Sequence, residues 1–400
     1  MAEAELEPAR DEAPAPIGGA CAKGFEGVRE AFASNFVDQE EVGAALCVRV
    51  GERVVVDLWG GHQDAARTRP WQRDTLINAY SVGKGVLAGL LACVVEDGRL
   101  DWDARVAQLW PEFGSAGKAD LRVRELASHQ AGLPALRARM RQSELYDWER
   151  MCTALAAEVP YWAPGSAHGY HVNTFGFLLG EVIRRATGLA VPDALAHYMS
   201  GPAEADFFYG VPEAALGRCA QVLAPDLAFE TEASWALAFP PTGDRAHDEM
   251  IWHTYFNPNG ASGMAHVNSS AWRRSVIPST SGHTTARAVA AVFAGLLGTG
   301  VRLRVTPDAA RIREATRGEV DGQDRVLGRP SRFGIGFQLP MPTRPLGPSP
   351  GAFGHFGYGG ALGFADPETP LAFAYLMNRP GERWQTTRAQ RLIDAVYAAL

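Results

Sequence analysis

From Phe25 to about Gln39, apolar residues recur every three or four positions and predict an amphipathic helix. Two runs rich in Val, Leu and Cys follow, Gly43–Val50 and Arg53–Trp59, and read as strands joined by a tight turn at Gly51-Glu52. After a turn-rich stretch from Gly60 to Asp74, a short strand-like piece ends at Tyr80. Ser81 then opens a long apolar helix, SVGKGVLAGLLACVVEDG, with serine at its start and Gly98 at its close. Helical patterns dominate from Asp101 to about Thr187, clearest at Val123–Ser128, Leu145–Glu158 and Thr174–Thr187. Residues 200–280 mix Pro, Gly and Trp with short segments and read as loops and short helices around a cleft. Thr284–Leu297 predicts a further helix, and Phe333–Leu339, Ala361–Asp366 and Leu371–Asn378 predict strands. Arg383–Leu400 predicts a closing amphipathic helix.

This order predicts an α/β chain of the α+β type. Residues 18–100 and 280–400 would share one antiparallel sheet flanked by helices, and 101–279 would form a mostly helical domain with pocket-forming loops. Residues 1–17 are acidic, rich in Ala and Pro and without an apolar core, so they predict a disordered lead-in rather than a secretory signal. No apolar run reaches the roughly 18 residues of a membrane span, and a cytoplasmic location is expected.

Composition narrows the partners. The chain is 46% hydrophobic, enough for a sizeable core, and its net charge of −7 provides no basic field for nucleic acid or an anionic membrane. The cysteines, Cys21, Cys47, Cys93, Cys152 and Cys219, are odd in number, widely spaced and free of any C-x-x-C, which argues against a disulfide framework or structural zinc. Cys47 and Cys93 lie in apolar runs and read as core residues. Of 38 Lys and Arg residues, only Lys23, Lys84 and Lys118 are lysine. Arginine cannot release its proton near neutral pH, so a lysine retained in such a chain draws attention as a base.

Lys84 stands three residues after Ser81, on the same face of the predicted helix. A desolvated lysine loses its proton more readily, and the neutral amine can then take the serine hydroxyl proton. The helix N-terminus would stabilise negative charge developing at Ser81. Taken alone, the tetrad reads more readily as a helix cap followed by an exposed lysine than as a catalytic pair. Gly347-Pro348-Ser349-Pro350-Gly351 also matches the form G-x-S-x-G, but prolines flank the serine where a nucleophile elbow needs a strand before and a helix after. His168 and His171 lack a third ligand at suitable spacing, so no metal is expected.

The tetrad does not stand alone. Asp74–Gly85 resembles the nucleophile region of serine β-lactamases and penicillin-binding proteins. Ser128-His129-Gln130-Ala131-Gly132-Leu133-Pro134, Tyr170-His171-Val172-Asn173 and Gly354-His355-Phe356-Gly357-Tyr358-Gly359-Gly360 resemble that superfamily's later blocks, in the same order. The match runs over roughly residues 25–400 and is most similar to the class C-like branch and its family VIII carboxylesterases. The resemblance implies a β-lactamase-like fold with Ser81, Lys84 and Tyr170 as catalytic residues. It implies an oxyanion hole formed by the backbone N–H groups of Ser81 and Tyr358, and no cofactor or metal.

Two departures bear on the substrate. Val172 occupies the place of the asparagine in the β-lactamase Y-x-N motif, with Asn173 one residue late. His355-Phe356-Gly357 stands where those enzymes carry K-T-G, and a histidine is far less cationic than lysine near neutral pH. Both favour a small neutral ester or acyl substrate, with His355, Gly357, Trp162, Trp252 and Tyr255 as candidate substrate-binding residues. The expected activity is carboxylic ester hydrolysis through a Ser81 acyl-enzyme. Acyl transfer to an amine or alcohol is the alternative, ahead of weak β-lactamase activity or a catalytically silent binding protein.

Overall fold

The computed structural model describes residues 15–223, 240–263, 265–381 and 385–400. The predicted lead-in therefore lies outside the described residues up to position 14, as do parts of the 200–280 region and Arg383 at the start of the predicted closing helix.

The strands are β1 (Ile17–Cys21), β2 (Gly43–Val50), β3 (Arg53–Gly61), β4 (Ile77–Asn78), β5 (Phe207–Phe208), β6 (His283–Thr284), β7 (Val320–Gln323), β8 (Pro330–Phe333), β9 (Phe353–Phe356), β10 (Leu362–Asp366) and β11 (Leu371–Met377). Six of them form one sheet in the order β1-β3-β2-β11-β10-β9, and every pairing in it is antiparallel. The first and last parts of the chain thus meet at β2 and β11, with Leu46 opposite Tyr375. Every residue of β10 and β11 is buried, which is why they read as continuous apolar runs rather than alternating ones. The helix Ala286–Leu296 packs across β2, β10 and β11, and α1 (Glu26–Asp38) packs on β1, β3 and the closing helix Thr387–Ala398.

Helix α2 (Val82–Glu96) lies between β9, β10 and the helices of the middle region, and every residue from Val82 to Val95 is buried. A helix apolar on all sides needs such a position. Its first turn is approached closely. A Cβ on Gly83 would stand 2.8 Å from the Pro278 carbonyl oxygen, and one on Gly85 would stand 3.1 Å from the His355 Cβ. Among the described residues no helix is long and apolar enough to cross a membrane.

Two predicted details are corrected. Chain order begins with a strand, β1, already at Ile17, not with a helix. Gly18 faces the Trp59 ring, and Gly19 has φ +93° with the Asp57 carbonyl against it, so β1 depends on glycines that have little strand propensity of their own. The strand expected at Phe333–Leu339 ends at Phe333. Gly334 and Gly336 turn the chain there, Gly336 at φ +83°, and only Gln338 rejoins the sheet, bridging to Gly354.

Candidate active site

Strand β4 delivers the chain to Ser81. Strand β6, held between β4 and β5, fixes it from the side. Tyr80 turns with φ +49°, a conformation uncommon for a non-glycine residue, and Ser81 follows at the N-terminus of α2 as the half-buried member of an otherwise buried group. Lys84 has no exposed surface. Its Nζ lies 3.0 Å from Ser81 Oγ and 2.9 Å from the Ser279 carbonyl oxygen, and 4.9 Å from the centre of the Tyr170 ring. Among the described residues no carboxylate pairs with it. Burial alone holds its amine well below the ordinary lysine range. A neutral amine fits both contacts: an N–H donates to the carbonyl while the lone pair faces the hydroxyl.

Ser279 was not marked by the sequence. Besides its carbonyl on Lys84, its Oγ accepts the Gly176 N–H at 2.6 Å and donates to the Asn173 carbonyl at 2.9 Å. One residue thereby ties α2 to the start of the helix Phe175–Thr187.

Tyr170 is buried, and its ring lies between His129 (5.0 Å between centroids), Phe333 (5.9 Å, stacked) and His355 (5.8 Å). Burial pushes its phenol above the ordinary tyrosine range, and Ser81 works against that shift. Its backbone is pinned from two directions. Its N–H meets both carboxylate oxygens of buried Asp324, at 3.0 and 3.1 Å, and Asp324 also accepts the Val326 and Leu327 N–H groups and the Ser331 hydroxyl. The next N–H, of His171, donates to His129 Nδ1 at 3.1 Å, and His171 Nε2 accepts the Leu133 N–H at 3.0 Å. The Ser128–Pro134 segment is therefore stapled to the tyrosine loop. Asp324 is one of several acidic residues in and beside the β7–β8 hairpin, and no sequence signal singles it out.

On the sheet side, β9 ends where Gly357 meets the chain before Ser81. A Cβ at position 357 would lie 2.6 Å from the Ala79 carbonyl oxygen, so only glycine fits. This approach brings Tyr358 beside Tyr80, the residue before Ser81, with the two rings edge-on at 5.3 Å. His355 has no exposed surface and packs under α2 beside Tyr170 rather than lining an open cleft. Its Nδ1 donates to the Phe356 carbonyl at 2.7 Å, and burial with Lys84 nearby depresses it to about 3, so it is neutral near pH 7.

The remaining candidates separate. Trp162 and Tyr255 share an apolar cluster with Tyr170 and Val172. Trp252 stands apart from it, under the Arg139 guanidinium at 5.4 Å. The Asn173 amide is engaged by the Thr254 carbonyl at 2.7 Å and by Ser262. Ser349 is buried and donates to Asp366 at 2.6 Å, and His168 contacts Ser331 at 3.0 Å.

The profile of the Beta-lactamase family matches residues 28–398. The chain belongs to the Beta-lactamase family. Within that family it is 33% identical over 370 residues to the protein named Esterase/beta-lactamase LipL of Mycobacterium tuberculosis, covering 90% of this chain and 82% of that one. A solved family VIII carboxylesterase superposes with TM-score 0.86 at 38% identity, over 96% of this chain and all of the other. A penicillin-binding protein homologue from Caulobacter crescentus superposes with TM-score 0.85 at 37% identity, over 96% of this chain and 100% of the other. Family and fold are as the sequence motifs implied, and this Beta-lactamase family member is a serine-hydrolase-type enzyme.

Proposed function

We propose that the protein hydrolyses carboxylic esters through an acyl-enzyme on Ser81. The observation that carries this reading is the 3.0 Å approach of Lys84 Nζ to Ser81 Oγ, with the amine buried and without a carboxylate partner among the described residues. Ser81 Oγ attacks the ester carbonyl as its proton passes to Lys84. The backbone N–H groups of Ser81 and Tyr358 receive the oxyanion, and each such donor contributes roughly 3 kcal/mol. The raised phenol of Tyr170 stays protonated, which suits it to give a proton to the departing alkoxide. Water then attacks the acyl carbonyl, its proton restoring the Tyr170 phenol, and the acid leaves as Lys84 returns the proton to Ser81.

An ester is favoured over a β-lactam by two features. The Asn173 amide is already committed to Thr254 and Ser262, and the third motif carries a neutral, buried imidazole where a cationic lysine would hold a carboxylate. The family VIII carboxylesterase relative supports the same choice. LipL's name joins esterase with β-lactamase, so nitrocefin belongs in the test. The five free cysteines suit a reducing, cytoplasmic setting. Intact-mass analysis after incubation with a fluorophosphonate and a panel of short-chain esters should show one adduct on the wild type and none on Ser81→Ala. Equal labelling of both proteins would refute the assignment. Product analysis with an added amine separates hydrolysis from acyl transfer, and rapid nitrocefin turnover would displace the ester reading.

A further inference from the structure

Behind the Tyr358 loop lies a buried charged group that the reaction does not touch. Glu41, Tyr375 and Arg388 come from the end of the α1 connection, from β11 and from the closing helix, and all three are buried. Arg388 Nη1 donates to Glu41 Oε1 at 2.8 Å, and the Tyr375 hydroxyl donates to the other carboxylate oxygen. The second arm of the guanidinium has a different task. Arg388 Nη2 donates to the Arg379 carbonyl at 2.9 Å, where β11 leaves the sheet. Two residues on, the Gly381 N–H donates to the Gly359 carbonyl at 2.9 Å, next to Tyr358. The fit along this path is tight. A Cβ on Gly359 would stand 2.3 Å from Pro380, and one on Gly360 would stand 2.6 Å from Thr386 Oγ1. Gly359 and Gly360 take φ +71° and +101°, so the loop holds its shape only while residues 379–381 stay in place.

We propose that Arg388, anchored by Glu41, is a positioning residue for the oxyanion hole, setting the Tyr358 N–H through Arg379, Gly381 and Gly359. The inference rests on the reading of Tyr358 as an oxyanion donor. A planar guanidinium holds a carboxylate on one nitrogen and a carbonyl on another, in two fixed directions, whereas an ammonium has all three donors on one atom and lacks that separation. Arg388→Lys therefore keeps a cation for Glu41 and gives up the second bond. Misplacement of a catalytic group by about 1 Å can reduce turnover by about 10²-fold, and a partial shift should give a smaller effect.

The test is pre-steady-state acylation of R388K with an activated ester. Burst amplitude counts intact sites, and burst rate reports the oxyanion-forming step. The expected result is wild-type amplitude with a rate reduced at least about tenfold and KM within about twofold. A wild-type rate overturns the proposal, whether amplitude is full or diminished, because a merely structural role lowers only the number of sites. If R388K does not fold, Glu41→Gln gives the same readout, since the amide oxygen still accepts from Arg388 without anchoring it by charge. Ser81→Ala is run in parallel. Acylation persisting there removes the Ser81 reading independently of what Arg388 does.

Discussion

Lys84 Nζ and Ser81 Oγ stand 3.0 Å apart across one turn of α2, with the amine anchored on the Ser279 carbonyl. Lys84→Arg keeps a long nitrogen-bearing side chain but cannot give up its proton, so it should lower kcat/KM by at least about 10³-fold, measured with p-nitrophenyl esters. The same burial affects stability. Below its ordinary value near 10.5 the lysine of the unfolded chain takes a proton that the folded chain refuses, so at neutral pH the residue opposes folding and stability rises with pH in that range. Lys84→Met should therefore be inactive yet unfold at a higher temperature than the wild type by calorimetry. A lower unfolding temperature would contradict this account.

Tyr170→Phe removes the phenol but keeps the ring packed against Phe333 and His129. Loss of a general acid should slow alkyl esters by roughly 10²–10⁴-fold. Nitrophenyl esters, whose leaving group needs no proton, should be affected far less. A uniform loss across leaving groups would place Tyr170 in another role.

Burial lowers five histidines from an ordinary value of 6.5: His129 well below it, His253 below it, His171 and His283 to about 4 and His355 to about 3. As pH falls through 6.5 the unfolded chain binds protons that these sites refuse until their folded values are reached. Stability should accordingly decline from about pH 6.5 downward, by at most roughly 1.4 kcal/mol per pH unit for each histidine. Urea midpoints at pH 7, 6 and 5 measure the slope, and His355→Gln should make it shallower by one histidine's share.

Gly357→Ala would push a methyl to within 2.6 Å of the Ala79 carbonyl oxygen. Relief requires Gly357 and Tyr358 to move away from Ser81. Activity should fall by about 10²-fold in a protein that still folds, as judged by circular dichroism and ester turnover. Turnover at the wild-type level would show that the loop tolerates the shift.

Asp324→Ala leaves the Tyr170, Val326 and Leu327 N–H groups and the Ser331 hydroxyl short of an acceptor. Each buried group left unpaired costs about 1–3 kcal/mol. Denaturant unfolding should show a loss in that range or above it, with kcat reduced more than KM because Tyr170 is displaced. Asp324→Asn should recover part of both, since its amide oxygen can still accept.

The sequence by itself determined the elements whose pattern is local. The β2–β3 hairpin, α2, β10, β11 and the helix Ala286–Leu296 lie within a few residues of their expected bounds, because periodicity and turn residues act over neighbouring positions. The tetrad of Ser81 and Lys84 was legible for the same reason, since both sit on one helical turn. Tertiary structure decided what distant pairing creates. Strand β1 exists because β3 offers it an edge. Asp324 matters because it meets a backbone N–H 154 residues away. Ser279 reaches Lys84 across 195 residues. The weakened proton affinities of Lys84 and His355 follow from complete burial, and burial is a property of everything packed around a side chain rather than of its neighbours in the chain.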